Sequence, residues 1–164
     1  MSEPLTPSFR EPAFPETVPT SPESPFQGAT SQAAVSGEPE SPPLIIVDGA
    51  NVVGSVPDGW WRDRAGAAIR LRDRLAALPG TGLGGIAAPV EVILVVEGKA
   101  KDIAQGPPGV RVERASGSGD DKIIALVRDE PRPRRIVVVT ADRGLRDRAA
   151  ALGAELLGPS AVPR

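Results

Sequence analysis

"LIIVDGANVVG", residues 44–54, decides the class of fold. Leu44 to Val47 form an apolar run with no polar interruption, and the run stops on Asp48. Strands buried on both faces read this way, and they belong to parallel sheets covered by helices. "VEVILVVEGKA" at 90–100 repeats the pattern and stops on Glu97. "RIVVVTADRGL" at 135–145 repeats it again and runs through Thr140 to Asp142. In open α/β sheets the ligand crevice lies at the carboxyl ends of the strands. Acids from separate strands therefore meet in one pocket, where they repel one another. A divalent cation relieves that repulsion, and all-oxygen ligands favour Mg2+ or Mn2+.

Further elements follow from spacing and punctuation. A loop with Pro57, Gly59 and the pair Trp60–Trp61 comes after the first strand. The spacing of Ala65, Ala68, Ile69, Arg72, Leu75 and Leu78 predicts a helix over 62–78, ended by Pro79 and the glycines that follow. Residues 90–97 form the second strand, and the alternation in "VRVERA", 110–115, predicts an edge strand. A short helix over 120–129, a strand over 135–140, a helix over 142–152 and a last strand in "AELLG" complete the pattern. Strands alternating with helices give a parallel sheet between two helix layers.

Residues 1–43 are a different material. Pro, Ser, Thr and Glu dominate and apolar residues are isolated, a composition that cannot bury enough surface to offset ordering entropy. They read as a disordered tail in which Phe9, Phe14 and Phe26 offer docking points for a protein partner, or as plain linker. The ordered domain is expected over 44–160. The whole chain has a formal charge of −2, but residues 1–43 hold six Glu and one Arg, leaving 18 basic against 15 acidic side chains elsewhere. That surplus of about +3 is compatible with a polyanionic partner.

Cysteine and histidine are both absent, which removes disulfides, thiolate chemistry and imidazole acid–base catalysis. Catalysis must run on carboxylates, hydroxyls, Lys, Arg or an oxygen-held metal. Lack of Cys fits a reducing cytosol. No signal peptide is evident, and no apolar run approaches the roughly 20 residues of a membrane span. A cytoplasmic location and no membrane partner are expected.

The candidate chemistry sits in four places. Asp48 ends a strand, and Asn51 can point back into the same crevice; alternatively, Asp48 holds only its own Asp-Gly turn. Asp142 is a metal ligand, a helix N-cap, or both, with Thr140 and Arg143 beside it as phosphate contacts. In "GSGDDKII", 117–124, capping explains one acid but not two, so Asp120 is assigned to the crevice and Lys122 to phosphate or charge compensation. Glu97 is a metal ligand or a solvated strand end. Trp60 and Trp61 stack on a base or cap the core, and Lys99, Lys101, Arg62 and Arg64 line an approach or are scattered surface charge.

Taken in order, "VDGANVVG", "GDDKI" and "VVTADRGL" resemble the NYN domain of the PIN-like nuclease superfamily, in its YacP-like branch, over roughly residues 44–158. The resemblance implies a three-layer αβα fold with a five-stranded parallel sheet ordered 3-2-1-4-5. It also implies a metal-dependent ribonuclease site, which gives the expectation of a Mg2+- or Mn2+-dependent endoribonuclease, with single-stranded RNA as substrate because a shallow crevice admits a flexible strand more readily than a duplex. On that reading Asp48, Asp120 and Asp142 match the core acids and Asn51 the following asparagine. Glu97 stands where the family tends to have Asp. The alternatives are a non-catalytic RNA-binding or adaptor module and a nucleotide phosphohydrolase. "VVEGKAKD" also resembles a Toprim glutamate motif, but the paired acids that fold requires are missing from "TADRG".

Overall fold

The computed structural model describes residues 41–100 and 102–163. The expected tail, with its three phenylalanines, falls outside them apart from Ser41, Pro42 and Pro43, and so does Lys101. Five strands form one sheet: β1 Leu44–Asp48, β2 Glu91–Val96, β3 Val110–Arg114, β4 Ile136–Val139 and β5 Glu155–Leu157. Every pairing is parallel and the order is β3-β2-β1-β4-β5. The three-layer αβα class and the expected strand order are therefore found.

Side-chain alternation splits the core in two. Ile45, Val47, Leu94, Val96 and Val139 face α1 (Gly49–Gly54), α2 (Arg64–Arg74) and α3 (Leu78–Thr81). Leu44, Ile46, Ile93, Val95, Ile136 and Val138 face α4 (Gly119–Asp129) and α5 (Arg143–Ala151). Both faces of the central strands are buried, as their unbroken apolar runs require, and each such side chain contributes about 1.5–3 kcal/mol.

Two local readings are corrected. The stretch after Asp48 is not a loop from the outset: Gly49–Gly54 is a short helix capped by Asp48. Six residues are too few for an amphipathic period to be visible in sequence. The helix expected over 62–78 is broken up. A 3-10 turn occupies Trp60–Arg62, Asp63 caps α2, and a second 3-10 turn at Leu75–Ala77 leads into α3. Pro79 does not end this run, because in the first turn of α3 its missing N–H costs nothing. Gly82, at φ 79°, ends it.

Candidate active site

Asp48, Glu97 and Thr140 lie two residues beyond Ile46, Val95 and Val138, which all face α4 and α5. A period of two therefore aims all three at the side where those helices begin. Hydrogen bonds fix them there. The Asp48 side chain is 5% exposed; Oδ1 accepts from the Asn51 backbone N–H at 3.2 Å and Oδ2 from the Thr140 hydroxyl at 2.9 Å. Thr140 is fully buried, and its Oγ1 also accepts from the Asp142 N–H at 3.1 Å. The Asn51 Oδ1 accepts from the Ala141 N–H at 2.8 Å, so its NH2 group is left as a donor. Asp142 caps α5 through Leu145 N–H to Oδ1 at 2.8 Å.

The other half of the crevice is built on α4. The Gly119 N–H donates to Glu97 Oε2 at 3.0 Å, which ties the end of β2 to the start of that helix. A Cβ on Gly119 would lie 2.3 Å from that oxygen, so any larger residue there would push the Glu97 carboxylate out of its present position. Ser118 caps α4, accepting from the N–H groups of Asp120 and Asp121. Asp120 is partly buried, and among the described residues its carboxylate accepts no hydrogen bond. Asp121 is exposed and paired with Arg148 at 3.1 Å. The choice of Asp120 over Asp121 rests on that difference.

Electrostatics join the acids across the crevice. Burial raises the Asp48 carboxyl above its ordinary value. The Asn51 and Thr140 hydrogen bonds offset part of that rise, while the charges of Asp120 and Glu97 add to it. Asp120 is also raised, first by desolvation, then by Asp142 and Glu97, with Arg148 pulling the other way. Each acid is felt by at least one other. Among the described residues, however, no group of three acids is arranged to hold a metal ion.

Two expected phosphate contacts stand elsewhere. Thr140 cannot reach substrate, because it is fully enclosed and its proton is given to Asp48; it positions the acid instead. Lys122 pairs with Glu113 of β3 at 3.2 Å. Arg143 is exposed at the first position of α5 and makes no ion pair among the described residues. Sequence reading missed Gly119 and the Ala141 amide. Gly119 carried a signal, a glycine directly after a capping serine, but the Ala141 amide carried none.

A crystal structure of Rae1 (YacP) from Bacillus subtilis has a TM-score of 0.54 to this chain, covering 72% of it and 70% of that chain at 18% identity. The fold is YacP-like. No protein-family model matches the sequence, and no curated protein does. At this identity the likeness is one of fold. Beyond fold, what this chain presents is the acid crevice itself.

Proposed function

We propose that this chain is a Mg2+- or Mn2+-dependent endoribonuclease acting on single-stranded RNA. The observation that carries the reading is the buried Asp48, clamped by Thr140 and Asn51 and exposed to the charges of Glu97 and Asp120. Carboxylates kept close against their own repulsion fit a hard cation. Asp48, Asp120 and Asp142 would hold it, with Glu97 as a further donor. Because no three of the described acids form a ready cage, one or two of them would bind directly and water would complete the shell, as Mg2+ prefers. A bound ion supplies charge neutralisation on the phosphate and a lowered pKa for water.

The chain's own groups have separate tasks. The Asn51 NH2 group, fixed by the Ala141 bond at its other end, donates to a phosphate oxygen. Arg143, at the lip of α5, neutralises a flanking phosphate. Asp120, whose carboxylate accepts no hydrogen bond among the described residues, is left open to the ion or to one of its waters. The ordered resemblance to NYN domains supports RNA as the substrate. One rival reading, a non-catalytic RNA-binding module, draws on the lack of a preformed three-acid group among the described residues.

The test is incubation with labelled single-stranded RNA, or with nucleoside triphosphates, in Mn2+. RNA cleavage that is lost in EDTA and lost in Asp120→Asn is expected, with triphosphates left intact. RNA bound but uncut favours the rival reading, and triphosphate hydrolysis alone favours a phosphohydrolase. Melting in EDTA separates a structural loss from a functional one. The folded Asp120 pKa lies above 3.8, so its charge opposes folding at neutral pH. Asp120→Asn should therefore melt at or above the parent at pH 7, and the difference should close below pH 3.8.

A further inference from the structure

A cleft opens beside Glu97 on the other side of the strand ends, between α1 and α2. It encloses about 130 Å³. Val53, Ala68 and Val96 give it an apolar floor, and Trp60 and Arg64 form a wall. The Arg64 guanidinium lies 5.2 Å from the Trp60 ring centroid. Arg64 is exposed and makes no ion pair among the described residues, so its charge is available to a ligand. Gly49, Ala50 and Glu97 also line the cleft, so the chain segment that carries Asp48 and Asn51 forms its rim.

We propose that this cleft is a nucleobase subsite, in which one unpaired base of the RNA is seated against Trp60 and Arg64. This rests on the ribonuclease reading and names how the substrate is gripped. A guanidinium lying over an indole extends its flat surface, and a base stacks on the guanidinium plane or the indole edge whatever its identity. The apolar floor rewards removal of a planar ring from water, while the open mouth leaves the sugar and phosphates outside. The shared rim at Glu97 and Gly49 connects the cleft to the acid crevice. A base in the cleft thus belongs to a nucleotide next to the phosphate that the crevice receives. A duplex cannot use the cleft, because its bases are stacked inward. The cleft therefore selects unpaired RNA without reading its sequence.

The test is a binding cycle in EDTA, where no cleavage takes place. Full-length chain and Trp60→Leu are titrated with a single-stranded RNA 10-mer and with a fully abasic ribose-phosphate oligomer of the same length. Trp60→Leu should weaken binding of the intact RNA roughly tenfold and leave the abasic oligomer unaffected. Trp60→Phe should recover most of the loss. If Trp60→Leu fails to fold, Arg64→Ala replaces it. A Trp61→Phe chain, whose remaining indole is Trp60, then reports RNA by quenched emission. Equal affinities for intact RNA with unmoved Trp60 emission overturn the subsite. With Mn2+ cleavage still present, that result leaves the ribonuclease reading standing. RNA neither bound nor cut by the unmodified chain removes the ribonuclease reading, and the subsite with it.

Discussion

Thr140 is the residue on which the crevice turns. Its single proton goes to Asp48, its oxygen takes the Asp142 amide, and its carbonyl takes Arg146 Nη1 at 2.8 Å. Thr140→Val keeps the shape and removes the hydroxyl contacts, leaving the buried Asp48 oxygen and the part-buried Asp142 amide without that partner. A loss of about 1–3 kcal/mol is expected in urea titrations at neutral pH. The sign of the pH dependence follows from Asp48. Its folded pKa is already raised, and the Thr140 hydrogen bond is one of the influences holding it down. Without that bond the pKa rises further. Stability carried by the protonated form is complete below 3.8 and is lost as pH rises through the folded value. The deficit of Thr140→Val should thus be smallest in acid and grow towards neutrality. The acid limb of a pH–rate profile for RNA cleavage should also move to higher pH. Thr140→Ser, which keeps the hydroxyl, should move neither.

At the scale of elements, what sequence could reveal depended on length and on contacts. The three central strands were legible because a strand buried on both faces needs an uninterrupted apolar run, as in "LIIV" and "IVVV", while β3 was legible from the alternation of an edge strand. The acids at the strand ends were legible for the same reason, since each closes such a run. α1 was not, because its six residues are held by tertiary contact and by the Asp48 cap rather than by a repeating pattern. Asp48 caps α1 through Oδ1 while its other oxygen accepts from Thr140. Gly49 was read as a turn residue, yet its requirement is space. A Cβ there would sit 2.6 Å from the Val95 carbonyl oxygen, a backbone atom that cannot step aside. Gly49→Ala should destabilise by about 1–3 kcal/mol, as overpacking does. Gly85→Ala, with nothing within 4 Å of the added carbon, serves as the control. Equal melting temperatures for the two variants would contradict the close approach of α1 to β2.

For the whole molecule, the two ends of the sheet are fastened differently. At the amino ends, Arg134 donates to the Pro42 carbonyl at 2.8 Å and pairs with Glu130 and Glu91, while the Glu91 N–H reaches the Pro43 carbonyl at 2.9 Å. Pro42 and Pro43, which composition assigns to the tail, are thus bonded to the domain. A chain starting at Ser41 is expected to melt with the full-length protein. One starting at Leu44 loses both carbonyl acceptors and should melt several degrees lower, for about 1–2 kcal/mol. At the carboxyl ends the Thr140–Asp48 bond is joined by one from the Ala141 amide to Asn51, two residues 90 apart in the chain. Ala141 is itself exposed, so solvent contact alone would let its amide exchange within the time of a loop fluctuation. The bond instead makes that deuterium clock run at the rate at which the Asn51 side chain lets go of the amide. Asn51→Ala should release this one amide to fast exchange while the strand amides of Val137–Val139 keep their protection.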